Sequence, residues 1–195
     1  MPDLKQSPLR RSGHVLFFAA VPPPDIKTAM ERAWQTFGTG DPFRCDKLHL
    51  SIYAVAEVDH VDPTLVKRAR QAANVLRTAP FTLRFDHLTT FGGAPDHYPL
   101  VVSMDKASRG VNDIAAELHT ACRKLGLTAS RSSTVTPHVT LAYGAGFPEK
   151  RPLDQPITWT IDEITLIDSH QGKGRHEHLG TWPLPKDRQQ QGFDF

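Results

Sequence analysis

Leu48-His49-Leu50-Ser51-Ile52 and Thr136-Pro137-His138-Val139-Thr140-Leu141 share one pattern. Apolar residues alternate with a histidine and, two places on, a hydroxyl. Period-two alternation marks a strand buried on one face. It places Leu50, Ile52 and Ala54 on the core side of a strand over 48–56, with His49, Ser51 and Tyr53 opposite. In a second strand, over 135–143, Val139, Leu141 and Tyr143 face the core, and His138, Thr140 and Ala142 face away. At about 3.3 Å of rise per residue, each histidine stands roughly 6–7 Å from its hydroxyl along the polar face. Either triplet alone is common, and a histidine on a polar strand face is ordinarily just solvated. The pair carries the weight.

Outward from the motifs, the same elements recur. Before the first lies an apolar strand over 15–21, ended by Pro22-Pro23-Pro24, then a helix over 25–37 marked by Ile26, Met30, Ala33 and Phe37. Before the second lies a strand over 98–104, then a helix marked by Val111, Ile114, Leu118, Ala121 and Leu125, with Gly126 as its stop. After the first comes an extra helix, opened by Asp62-Pro63, and a strand over 81–91. After the second comes a strand over 157–167, then the loop 171–175 and a last strand over 178–184. Pro80, Thr82, Asp86 and Thr89 match Pro156, Thr158, Asp162 and Thr165 in type at a constant offset. Two copies are too few for a solenoid. They predict an α+β fold of two pseudo-twofold-related lobes, each an antiparallel sheet with outer helices, flanking a central groove. The lobes span about 15–91 and 98–167, within a single bilobal domain over 14–185. Residues 1–13 and 186–195 are expected to be flexible ends.

Composition narrows the function. The formal net charge is only +2, too small for a protein that coats duplex nucleic acid, yet compatible with a nucleotide or an RNA end. Cys45 and Cys122 form no framework and read as free thiols of a reducing compartment. The polar, basic start lacks the apolar core of a signal peptide, and no apolar run is long enough to span a bilayer. The expected location is cytoplasmic, with no membrane partner, and the expected state is a monomer. No Walker-type loop or dinucleotide fingerprint is present, so no cofactor is expected. His170, His176 and His178 add imidazoles, but no carboxylate or cysteine completes a standard ligand spacing, and no metal is expected.

Two imidazoles and two hydroxyls converging on one groove suit metal-free cleavage of a phosphodiester. One neutral histidine takes a proton from the attacking water, and one protonated histidine gives a proton to the leaving oxygen. Ser51 and Thr140 are placed to hold the non-bridging oxygens. Ser51 as a covalent nucleophile lacks an acidic partner and a nucleophile elbow. Tyr53 shares the His49 face and is a candidate to stack on a base. Arg44, Lys47, Arg131, Lys173 and Arg175 lie near the motif strands or in loops, as candidates to meet phosphate.

The two motif segments resemble the paired His-x-Thr-x motifs of the two-histidine (2H) phosphoesterases, in particular the branch called 2′-5′ RNA ligase or RNA 2′,3′-cyclic phosphodiesterase. His14-Val15-Leu16-Phe17-Phe18-Ala19-Ala20-Val21-Pro22 is similar to that branch's first strand, and Thr181-Trp182-Pro183-Leu184 to its last. The resemblance covers about residues 14 to 185. It implies a bilobal fold and metal-independent opening of a 2′,3′-cyclic phosphate to a 2′-phosphate, on RNA ends or small nucleotides. It further implies 2′-5′ joining of RNA ends in some members, His49 as proton donor and His138 as proton acceptor. Three positions depart from it. Ser51 stands where the motif usually has Thr. Tyr143 stands where the branch usually has Arg, and by strand parity it points to the core. The stretch after Ile52 reads Tyr53-Ala54-Val55-Ala56-Glu57 rather than aromatic-Leu-Gly. Two alternatives therefore stand beside the cyclic phosphodiesterase: a non-catalytic module that binds RNA ends, and a 2H enzyme for another cyclic or 2′-5′ phosphodiester.

Overall fold

The computed structural model describes residues 13–37, 42–93, 96–127, 136–146 and 149–186. The ends expected to be flexible, and Arg131, fall almost entirely outside these residues. In chain order the elements are β1 (His14–Ala20), α1 (Pro24–Phe37), β2 (Leu50–Val58), α2 (Pro63–Ala73), β3 (Phe81–Thr90), β4 (Tyr98–Ser103), α3 (Arg109–Lys124), β5 (His138–Gly144), β6 (Arg151–Ile161), β7 (Glu163–His170) and β8 (Arg175–Pro183). A 3-10 turn at Cys45–Lys47 precedes β2. Helix starts follow local chemistry. The Asp62 carboxylate accepts from Leu65 N at 2.9 Å and caps α2, and the Ser108 hydroxyl accepts from Val111 N and caps α3. None of the helices among the described residues is long and apolar enough to cross a membrane.

The fold is bilobal α+β, with two four-stranded antiparallel sheets ordered β2-β1-β7-β8 and β5-β4-β3-β6. The sheets are not confined to the two halves of the sequence, which corrects the lobe boundaries of about 15–91 and 98–167. β3 crosses into the second sheet beside β4, and β7 crosses back to lie beside β1. The helices cross too: α1 packs on β5 and β6, while α3 packs on β2 and on α2. The strand expected over 157–167 is two strands in different sheets, broken at Asp162, whose carbonyl accepts from Leu184 N at 2.7 Å. As a result 81–85 and 157–161 are hydrogen-bonded partners rather than equivalents. The rest of the internal match holds in register. Ala19 of β1 lies between Ser51 and Thr165, and Val101 of β4 lies between Thr140 and Thr89.

Leu16, Phe18, Met30, Leu50, Phe85, Ile114, Leu141 and Ile164 are all fully buried in a core drawn from both sheets and all three helices. On the groove face of the first sheet, Phe17, Ala19 and Ile167 form a smaller apolar group.

Both motif strands carry a β-bulge at the same place. Phe18 pairs with Tyr53 and Ala19 with Ser51, leaving Ile52 extra. Leu100 pairs with Ala142 and Val101 with Thr140, leaving Leu141 extra. An extra residue reverses which face the following side chains meet. Ile52 and Tyr53 are therefore both buried, as are Leu141 and Ala142, and the next groove-facing positions are Ala54 and Tyr143. Strict alternation places Tyr53 in the groove and Tyr143 in the core; Tyr143 instead faces the groove, and Tyr53 is buried in the groove wall.

Candidate active site

A groove of about 780 Å³ is walled by β1, β2, β5 and the β7–β8 hairpin, and contains His49, Ser51, His138 and Thr140. His49 immediately precedes β2, and its Nδ1 lies 2.8 Å from the carbonyl of Lys47. His138 opens β5, and its Nδ1 lies 2.8 Å from the carbonyl of Thr136. A carbonyl only accepts, so in each ring Nδ1 carries the proton and donates it. Nε2 is left as the working nitrogen, bare when the ring is neutral and a donor when it is charged. The same i−2 tether in both lobes fixes the same tautomer twice. Each ring also has an aromatic backing, with Phe17 at 5.1 Å from His49 and Phe91 at 4.8 Å from His138 between ring centroids.

Burial pushes the His49 imidazole down to about 4, with the positive surroundings of His176, Arg44 and His138 acting in the same direction against the Lys47 hydrogen bond. His49 is thus neutral in the empty groove near pH 7. His176 of β8 stands 5.2 Å from His49 and is also lowered to about 4, by burial first and then by Arg44 and Lys47. No carboxylate lines the groove among its described residues, whereas Arg44 and Lys47 both do. Such a surface favours an anion.

Arg44 is held across the lobes. Its backbone N–H donates to the carbonyl of the bulge residue Leu141 at 2.9 Å, and its guanidinium lies 4.8 Å from the centre of the Tyr143 ring. His97 stacks on Tyr143, with centroids 4.5 Å apart and planes within 7°. A layered Arg44–Tyr143–His97 wall therefore stands at the position where the sequence showed no cation. Lys47 is packed under the β7–β8 hairpin: a Cβ on Gly174, whose φ is +59°, would lie 2.9 Å from its Nζ.

Of the residues expected at the site, His49, His138, Ser51 and Thr140 come together in one groove. Tyr53 touches the groove wall, but it is 5% exposed and its hydroxyl is 3.1 Å from His119 Nδ1 on α3. Burial raises that phenol to about 12. Of the candidate cations, Arg44 and Lys47 line the groove, and Lys173 and Arg175 do not. His97, His170 and His176 also line the groove, where sequence patterning does not put them. His97 follows the Gly92-Gly93 turn, and His170 and His176 flank the turn between β7 and a last strand that begins at Arg175 rather than His178. Among the described residues, the histidines and carboxylates close enough to share an ion are His14, Asp168 and His170, which include neither His49 nor His138.

A family model described as the 2′-5′ RNA ligase superfamily matches residues 22–173, which include both motifs. The chain belongs to the 2′-5′ RNA ligase superfamily. Solved structures agree on the fold of this superfamily member. A crystal structure described as a phosphoesterase is 24% identical, with a TM-score of 0.71, over 90% of this chain and 100% of that one. Escherichia coli LigT complexed with 3′-AMP is 23% identical, with a TM-score of 0.67, over 89% and 98%. TT0787 of Thermus thermophilus is 22% identical, with a TM-score of 0.69, over 89% and 99%. A search of the curated proteins found no match. Family and fold together indicate a two-histidine phosphoesterase.

Proposed function

We infer that this superfamily member hydrolyses 2′,3′-cyclic phosphate ends of RNA or small nucleotides to 2′-phosphates, without a metal in the chemistry. The observation that carries the reading is the matched pair. Two imidazoles, each tethered through Nδ1 to the carbonyl two residues back, share one groove with two hydroxyls and no lining carboxylate. Water attacks phosphorus, His138 takes its proton, the P–O3′ bond breaks, and His49 protonates the departing 3′-oxygen. The assignment of donor and acceptor follows the family resemblance. Because the free His49 is held neutral by burial, the donor role requires the bound phosphate to bring its proton in, since an adjacent anion favours the charged imidazole. Ser51 and Thr140 hold the non-bridging oxygens, and Arg44 and Lys47 supply the positive field.

The base is proposed to lie on the His97–Tyr143 wall rather than on Tyr53, whose ring is turned into the core against α3. LigT, of the same fold, has been solved with the nucleotide 3′-AMP, which fits this ligand class. With a 5′-hydroxyl in place of water as the attacking group, and the same P–O3′ bond broken, the same groove would join RNA ends through a 2′-5′ bond. The sequence argument for a non-catalytic binder is the missing Arg at position 143 together with the modest net charge, and Arg44 over Tyr143 weighs against the first of these.

The test is hydrolysis of the nucleoside 2′,3′-cyclic phosphates, and of an RNA carrying that end, in excess EDTA. Turnover to the 2′-phosphate is expected. Inactivity on every substrate with tight binding would favour the binder, and activity only on other 2′-5′ or cyclic diesters would move the substrate.

A further inference from the structure

We propose that His14, Asp168 and His170, with Glu177 as fourth donor, form a binding site for a divalent transition metal ion of the zinc type, at the end of the first sheet beside the groove wall. Strand parity turns most of this set away from the groove. On β1, β7 and β8, Phe17, Ser169 and His176 face the groove. Their alternates His14, Asp168 and Glu177 face a pocket closed by α2, and His170, at the end of β7, stands between the two and also lines the groove. His14 and His170 are cross-strand partners, as are Asp168 and Glu177; donor atoms of His14, Asp168 and His170 lie within 4.8 Å of one another, and Glu177 stands beside His170.

The spacing suits an ion. His14 Nδ1 lies 2.9 Å from both Asp168 oxygens, His170 Nε2 lies 3.4 Å from Asp168 Oδ2, and His170 Nε2 lies 3.7 Å from Glu177 Oε2. Tetrahedral ligands at about 2.0–2.1 Å from zinc stand roughly 3.3–3.4 Å from one another. The independent observation is His170 Nε2, a buried nitrogen with no hydrogen-bond partner, aimed at those two carboxylates. Buried polar atoms left unpaired are uncommon and call for an occupant.

The donor set is two imidazoles and two carboxylates, hard-to-borderline ligands suited to zinc, and the two negative charges balance a divalent ion. His14 Nδ1, which lies against Asp168, meets the ion in the tautomer that carries the ring proton on Nε2. Of the cations at this corner, Arg70 of α2 is engaged by the carbonyl of Leu179, and Arg175 Nη2 lies 3.2 Å from Glu177 Oε2, a contact that ion binding by Glu177 would displace. The bound ion would clamp the ends of the three strands whose other faces carry Phe17 and His176. Its role is to brace the groove wall, not to act on substrate. The sequence hid the site because its ligands lie on strands far apart in the chain.

Cobalt(II) titration of the apoprotein tests the proposal. One equivalent should bind and give visible bands of tetrahedral type, in the wild type and equally in a His49→Ala/His138→Ala double variant. His170→Ala, checked for fold by circular dichroism, should weaken binding by more than the roughly 10- to 100-fold that loss of an outer-shell partner costs. Bands that survive in His170→Ala, or vanish with His49 and His138, overturn the site. So does an absence of stoichiometric binding. Should His170→Ala not fold, anomalous scattering from zinc-soaked crystals of the unmodified protein decides. An ion between His14, Asp168 and His170 supports the site, and an ion only in the groove refutes it. These readouts are independent of turnover, so they stand apart from the phosphodiesterase assay.

Discussion

If His49 is the proton donor, binding of a phosphodiester must carry a proton into the groove. The free ring is held at about 4 by burial, so at pH 6 it is almost wholly neutral. A bound monoanion offsets that penalty. If it restores the ring to the ordinary imidazole value of about 6.5, the shift is roughly 2.5 units, or about 3.4 kcal/mol. Linkage then fixes the pH dependence. Above pH 6.5 neither state holds the proton and affinity is at its low plateau. Between 6.5 and 4 the complex holds the proton and the free protein does not, so affinity rises about tenfold for each unit of pH lowered. Across the whole window the gain is roughly 300-fold. The ligand should be a nucleoside 2′,3′-cyclic phosphate, whose single charge does not change over this range, and the protein His138→Ala, to prevent turnover. Calorimetry in two buffers of different ionisation enthalpy counts the protons directly, with about one taken up near pH 5.5.

His176 is the necessary control, because it is lowered to the same value and stands 5.2 Å from His49. Uptake should vanish in His49→Gln/His138→Ala and persist in His176→Gln/His138→Ala. A flat affinity with no proton uptake refutes His49 as donor and would move that role to another group. Uptake that follows His176 instead would make the residue missed by the sequence the proton carrier.

Further outcomes follow from the same geometry. His49→Ala and His138→Ala should each lower kcat by about 10²- to 10⁴-fold while circular dichroism stays native, as expected for removal of one acid–base partner. Arg44→Ala should raise KM, and Arg44→Lys should recover only part of the loss, because a lysine cannot reproduce a planar cation stacked on the Tyr143 ring; steady-state kinetics separate the two. Tyr143→Phe, which keeps the ring against His97, should hold KM near the wild-type value, whereas Tyr143→Ala should not. Stability should fall on acidification. The folded state resists protonating His49 down to about 4 while the unfolded chain protonates near 6.5, so stabilisation present above pH 6.5 is lost as pH drops toward 4, by up to about 3 kcal/mol. Urea titrations of wild type and His49→Leu at pH 7 and pH 4.5 check this, and the variant should show the smaller pH dependence.

The sequence revealed the motif strands as far as Ile52 and Leu141 and no further, and the reason is physical. Period-two reading assumes an uninterrupted ladder. A bulge adds one residue to one strand and leaves the apolar composition unchanged. In both lobes the extra residue is itself apolar, Ile52 or Leu141, and no glycine announces it. Every assignment before the bulge is therefore sound, and those just after it are disturbed, which is why Tyr143 faces the groove and Tyr53 is buried in its wall. Two bulges at matching positions do more than confuse a pattern. They point His49 with Ser51, and His138 with Thr140, into the groove, and then turn the next residue into the core. In β2 that residue is Tyr53, reaching His119 of α3; in β5 the bulge carbonyl of Leu141 is the one that holds Arg44.

The crossing of β3 and β7 was hidden for a different reason, although a trace of it is present. Side chains of the main core run through Ile157, Trp159 and Ile161 and resume at Ile164 and Leu166, a change of phase at Asp162, although the β7 residues between and after them are buried too. A single strand cannot change phase without a bulge or a break, and here it breaks, leaving one sheet for the other. That break explains how one chain places two tethered histidines in one groove. Each motif strand lies at the edge of its own sheet, β2 in one and β5 in the other. Because β3 and β7 each join the sheet begun by the other half, neither sheet is completed by its own half of the chain. The relative placement of His49 and His138 is thus set by strands shared between the lobes rather than by a linker. A substitution that weakens the β1–β7 or β3–β4 pairing should accordingly cost activity before it costs secondary structure.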